Sequence, residues 1–226
     1  DGAYVAPDAD ITPSAAMLVD GAMYNSGQCC CGIERVYVHE KVYDEFLAAC
    51  KPLIEAYVLG DPLDPNTTQG PLAVASSAKL MEAQISEAIT AGGEIITGGK
   101  TRQISQGTFF EPTLLTVSQN DLSIMQEENF GPLLPVMKVP DDAEAIRHIN
   151  DSPYGLTSVI CTSDQSKAES FAQQVKAGTI FMNRCDYLDP ALPWSGVKAS
   201  GKGSSLSRYG LLAMTRPKAI HFRTQF

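Results

Sequence analysis

Basic residues are few and scattered in this chain. It has 17 lysines and arginines against 26 aspartates and glutamates, a formal charge of −9 over 226 residues. Such a chain suits neither a nucleic-acid backbone nor an anionic membrane surface. No apolar run is long enough to span a bilayer, and no basic segment followed by an apolar one opens the chain. A cytoplasmic protein is expected, with no nucleic-acid or membrane partner. Histidine is scarce, and none of His39, His148 and His221 stands at zinc-like spacing from the cysteines, so no metal is expected. The chain lacks a G-x-G-x-x-G after a strand, so the phosphates of any dinucleotide must be gripped by residues outside it. The stretch Gly196–Gly203 (GVKASGKG) approaches a P-loop, but Gly203 stands where a Mg²⁺-binding Ser or Thr is needed. A flexible surface turn accounts for its glycines. The chain opens on Asp1 rather than Met, in what reads as a loop, which suggests a fragment or a processed piece.

Cysteine is also sparse, but half of it is in one place. The six are Cys29, Cys30, Cys31, Cys50, Cys161 and Cys185, and the first three are adjacent in SGQCCCGIER (Ser26–Arg35). Three neighbours cannot readily staple a small secreted scaffold, and a chain of this length needs no staples. Zinc prefers ligands two to four residues apart, each able to face the ion. A reducing compartment with free thiols is expected. One of the three can be a nucleophile if its thiolate is stabilised; buried, all three are small hydrophobes. The triplet alone leaves both open. Gly27 before it permits a tight turn that frees backbone N–H groups to face an oxyanion.

A hydrophobic content of 44% supports one large domain, or a domain with a small appendage. Helical spacing is expected over Ala15–Tyr24, Tyr43–Val58, Ser76–Ala91, Asp141–Ile149 and from Ser163 or Asp164 to Lys176. Strands are expected at Arg35–His39, Glu94–Thr97, Phe109–Val117 with a break at Pro112, Leu134–Val139, Thr157–Thr162 and Thr179–Asn183. The alternation after residue 133 predicts an α/β fold, a mostly parallel twisted sheet covered by helices. The tail is different. Residues 196–226 read as a Gly-rich loop, a short helix and a terminal strand (Pro217–Gln225) that pairs with something or stays mobile. The expected division is 1–195 and 196–226.

Several spaced motifs run in one order. They are Asp8-Ala9-Asp10-Ile11, Gly27-Gln28-Cys29-Cys30 with Arg35, Gly60-Asp61-Pro62 with Gly70-Pro71-Leu72, and Gly107-x-Phe109-x-x-Pro112-Thr113. They continue with Glu128-Asn129-Phe130-Gly131-Pro132, Asn150 with Tyr154-Gly155-Leu156, and Asn183, Pro193 and Gly196 with Lys198, Ser200 and Gly201. Together they resemble the C-terminal half of the aldehyde dehydrogenase superfamily over essentially the whole chain. The resemblance implies that Cys30 is the nucleophile, forming a thiohemiacetal and then a thioester. It implies that Glu128 hydrogen-bonds the nicotinamide ribose and that Phe130 packs near the nicotinamide. It places Cys29, Cys31, Tyr187, Leu188 and Trp194 around the aldehyde, with Trp194 replacing the commoner Phe. The implied cofactor is NAD or NADP, bound mainly by a domain outside this chain, and the implied partners are a small-molecule aldehyde and further copies in a dimer or tetramer. The family's general-base Glu and oxyanion-hole Asn lie upstream of the matched region, so the isolated chain is expected to be inactive. The alternatives are a non-catalytic assembly module of the same fold and a cysteine hydrolase or thiol redox protein.

Overall fold

Alternation within short strands decides this architecture. In a computed structural model, which describes residues 1–185 and 187–225, the elements run β1 (Gly2–Val5), α1 (Ile11–Met23), β2 (Arg35–His39), α2 (Tyr43–Glu55), α3 (Ser77–Thr90), β3 (Glu94–Thr97), β4 (Thr101–Ile104), β5 (Gly107–Phe110), β6 (Thr113–Val117), α4 (Ser123–Gln126), β7 (Leu133–Val139), α5 (Asp142–Asn150), β8 (Thr157–Cys161), α6 (Gln165–Gln174), β9 (Thr179–Met182) and α7 (Ser207–Ala213). Seven strands form one sheet in the order β3-β6-β7-β2-β1-β8-β9. Every pair is parallel except β3–β6 at one edge. The predicted α/β class with a mostly parallel, helix-covered sheet is observed.

Successive side chains on a strand point to opposite faces. Tyr4, Tyr37, Leu115, Leu133 and Ile160 face one apolar cluster, which α3, α5 and α6 close with Met81, Ile85, Ala145 and Phe171. Their neighbours Ala3, Val5, Val36, Val38, Leu134 and Val159 face the other, closed by Leu18 of α1 and Phe46 and Ile54 of α2. With both faces covered, the central strands β1, β2 and β8 are buried at every position.

The opening residues are not a loop. Gly2–Val5 form β1, buried throughout between β2 and β8 at the centre of the sheet. The reason is non-local: its partners start 33 and 156 residues on, at Arg35 and Ser158, and four residues of GAYV show too little periodicity to announce a strand. The break at Pro112 falls where expected and divides β5 from β6, with β5 paired to β4 in a separate antiparallel hairpin. Asp8, in the first motif, accepts hydrogen bonds from Thr162 Oγ1 (2.6 Å), Ser163 N (3.0 Å) and Lys167 Nζ (3.0 Å). It thereby ties the end of β1 to the β8–α6 turn. Residues 217–225, expected as a strand, pair with no strand of this chain among the described residues and are exposed.

Candidate functional site

The cysteine loop leaves α1 through an unusual turn. Asn25, Ser26 and Gly27 are all left-handed, with φ of 52°, 58° and 68°. Two non-glycine residues held this way are strained, so the surroundings must hold them. The Ser26 hydroxyl donates to Gly70 O (2.9 Å). The Gln28 side chain accepts from Ala73 N (2.7 Å) and donates toward Asn25 O (3.1 Å) and Pro71 O (3.4 Å). Gly27 lies against Gly131, so close that a Cβ there would sit 2.0 Å from the Gly131 carbonyl oxygen. The Gly-Gln-x-Cys, Gly-Pro-Leu and Glu-x-Phe-Gly-Pro motifs, up to about a hundred residues apart in sequence, meet around one turn.

A second joint forms in the same way. Lys198 Nζ donates to the carbonyls of Asn150 (2.9 Å) and Ser152 (3.0 Å), and Gly155 N donates to Ser200 Oγ (2.9 Å). The closing glycine-rich loop therefore docks on the Asn-x-x-x-Tyr-Gly-Leu segment. Its near-match to a P-loop reflects turns at Gly201 (φ 125°) and Gly203 (φ 88°).

Replacing Gln28 with alanine removes a side chain that bridges the cysteine loop and the Gly-Pro-Leu loop. Both ends are near solvent, so water replaces part of the loss. We expect a destabilisation of about 1–2 kcal/mol, seen as a lower urea midpoint with an unchanged m-value.

Between these joints the three thiols part company. Cys30 is exposed and lines a cavity of about 230 Å³ with Asp1, Glu34, Glu128, Tyr154 and Leu156 among its walls. Cys29 and Cys31 are half-buried and line a different cavity, of about 580 Å³, with Leu188 and Cys185. A turn closed by Gly32 N to Cys29 O (3.0 Å) sets this division. Among the described residues, the Cys30 N–H has no acceptor, which leaves it available to a ligand oxygen.

Glu128 faces the Cys30 cavity. Burial, and then the neighbouring Glu34 carboxylate, push its carboxyl above the usual value. Glu34 is the residue the sequence did not reveal. One of its carboxylate oxygens accepts from Asn129 N (3.1 Å) and Phe130 N (3.2 Å), which fixes the loop carrying Glu128 and holds Phe130 at φ 49°. Nothing local marks Glu34, because its partners lie 95 and 96 residues away. Phe130 keeps 40% of its surface exposed. Arg35 is buried and donates to backbone carbonyls of Met125 (3.3 Å) and Ile149 (3.4 Å), so it braces the base of the loop instead of facing the cavity.

The five residues expected around the aldehyde do not all meet. Cys29, Cys31 and Leu188 share the larger cavity. The Tyr187 ring packs against the Arg184 guanidinium, 3.3 Å from its centroid. Trp194 pairs with Ser205 through two backbone hydrogen bonds of 2.8 and 2.9 Å. Among the described residues, no cluster of three or more His, Cys, Asp or Glu side chains is placed to hold a metal, and no helix is long and apolar enough to cross a membrane.

The Cys30 cavity opens off the amino ends of the strands: Asp1 precedes β1, Cys30 and Glu34 precede β2, Glu128 precedes β7, and Tyr154 and Leu156 precede β8. Open parallel sheets usually bind ligands at their carboxyl ends, so the placement is distinctive. The sequence pattern of the Aldehyde dehydrogenase family fits residues 1–220. A mitochondrial aldehyde dehydrogenase of Leishmania tarentolae is 35% identical over 98% of this chain and 44% of its own length. A Deinococcus radiodurans protein named succinate-semialdehyde dehydrogenase [NADP(+)] is 37% identical over 95% of this chain and 44% of its own. The crystal structure of lactaldehyde dehydrogenase from Escherichia coli superposes with a TM-score of 0.88 at 35% identity, covering 93% of this chain and 44% of that one. The chain thus spans a little under half the length of these relatives. Over that span the sequence pattern and the fold agree, and the chain belongs to the aldehyde dehydrogenase family.

Proposed function

We propose that this chain is the cysteine-bearing catalytic part of an NAD(P)⁺-dependent aldehyde dehydrogenase that acts as a homo-oligomer in the cytoplasm, with Cys30 the nucleophile. One observation carries the proposal: Cys30, alone of the triplet, faces the cavity that Glu128 also lines. Its sulfur attacks the aldehyde carbonyl, and a thiohemiacetal forms. The Cys30 N–H, which has no acceptor among the described residues, meets the new oxyanion. Loss of hydride from that carbon gives a thioester, and water cleaves it to the acid and regenerates the thiol. A bound nicotinamide supplies the hydride acceptor. Glu128 fits a cofactor hydroxyl, because a carboxylate in a half-enclosed cavity accepts hydrogen bonds readily. Glu34, through two backbone N–H groups, holds the Glu128–Phe130 loop in place. The cavity that Cys29, Cys31 and Leu188 line is offered as the aldehyde side.

The test is selective alkylation read by peptide mass mapping, joined to an NADH-absorbance assay. Cys30 is expected to react first in the isolated chain, and that chain is expected to show no turnover. In the full-length protein NAD(P)⁺ is expected to change the Cys30 rate. Uniform slow labelling of all six thiols would favour an assembly module. Robust turnover by the isolated chain would overturn the claim that it needs the remainder of the protein.

A further inference from the structure

The thiols that flank Cys30 are themselves a pair. Cys29 and Cys31 hold their sulfurs 3.5 Å apart. That separation is too long for a disulfide, whose bond is about 2.05 Å. It is close to the bite of a single thiophilic atom. Two thiolates bonded to one centre at about 2.3 Å in tetrahedral geometry stand roughly 3.8 Å apart. The turn that closes from Cys29 O to Gly32 N sets this spacing, so the chain presents the pair already near its bound geometry.

The surroundings say which centre fits. Zinc asks for four ligands, and no cluster of three or more candidate ligands exists among the described residues. A centre that takes only two sulfurs and brings its own third bond suits the site better. The cavity beside the pair, about 580 Å³, is lined by Met17, Tyr24 and Leu188 together with Asp20, Arg184 and Cys185, and so has room, and apolar surface on one part of its wall, for an organic substituent. Cys30 turns into the other cavity.

We propose that Cys29 and Cys31 form a two-thiol clamp that captures a trivalent monoorganoarsenical, separately from Cys30. The chemistry is a condensation. Two As–S bonds form, the As=O bond breaks, and both S–H protons leave with the oxide oxygen as one water. Arsenic stays trivalent and nothing is oxidised or reduced.

The probe is phenylarsine oxide, added to the 226-residue chain and followed by intact mass. One phenylarsenic group per chain, gained with loss of one water, is expected; it survives excess monothiol and is removed by a dithiol. Alkylating the loaded chain, then stripping the arsenic and mapping the peptides, is expected to find Cys30 alkylated and Cys29 and Cys31 protected. Cys30→Ser and Cys185→Ser are expected to keep capture. Cys29→Ser and Cys31→Ser are expected to weaken it at least a hundredfold, as loss of the second attachment point does. Protection of Cys30, or loss of capture in Cys30→Ser or Cys185→Ser, would overturn the clamp. The protection map needs no substitution, so it decides the matter even if a variant misfolds. Dehydrogenase activity does not enter the readout, so the clamp and the proposed function fail independently.

Discussion

Cys30→Ser in the full-length protein is expected to lower kcat for aldehyde oxidation by about a thousandfold or more, while Cys29→Ser and Cys31→Ser keep most of it. The asymmetry follows from where the three side chains point. Only Cys30 reaches the Glu128 cavity, and its neighbours on both sides turn the other way. Serine keeps the size and the backbone N–H but replaces the sulfur with a hydroxyl, a weak nucleophile at neutral pH without an adjacent base. Removing a nucleophile acts on the transition state, so kcat and kcat/KM fall together. Steady-state kinetics on the three variants, side by side, measures this. Equal losses in all three would mean that the loop, and not the Cys30 sulfur, carries the activity. A Cys30→Ser enzyme with near-normal kcat would remove Cys30 from the chemistry altogether.

The triplet also shows how much of such a site a sequence displays. The Gly-Gln-x-Cys frame singles out Cys30 as an expectation, and the same thiol is the one that lines a cavity apart from its neighbours; the βα alternation after residue 133 predicts a mostly parallel sheet, as observed. Local signals were enough there, because strand, helix and turn residues each act on their neighbours. What stayed hidden depends on distant partners. The central strand β1 looks like a loop until β2 and β8 flank it. Glu34 looks like one more surface acid until its carboxylate meets two N–H groups 95 and 96 residues on. The β4–β5 hairpin is masked because its strands are only four residues long and Gly107 opens the second. The motifs themselves carried no hint of why their residues are needed. Their glycines, Gln28 and Lys198 are points where one loop rests on another.

Gly27→Ala is therefore expected to be among the most damaging small substitutions in the chain. Two costs combine. At φ +68° an alanine pays about 1–2 kcal/mol for the left-handed conformation. The added methyl would also stand 2.0 Å from Gly131 O and 2.3 Å from Gly131 C, both backbone atoms that no rotamer change can move. The cysteine loop and the Glu128 loop must then separate, and with them the two walls of the Cys30 cavity. A total loss above about 4 kcal/mol is expected, in the range reserved for specific steric or backbone failures. Gly92→Ala is the matched control: it is also left-handed, at φ +95°, but meets nothing within 4 Å, so it should show the conformational cost alone. Urea unfolding of the two variants separates the terms. Gly131→Ala adds a further check, because its methyl would meet the Met81 side chain, 2.1 Å from Sδ; Met81 is buried in the core, but its unbranched side chain can repack at a smaller cost than backbone atoms. If Gly27→Ala and Gly92→Ala unfold at the same midpoint, the loops are not clamped at Gly27, and the placement of Cys30 must come from the Gln28 and Ser26 hydrogen bonds instead.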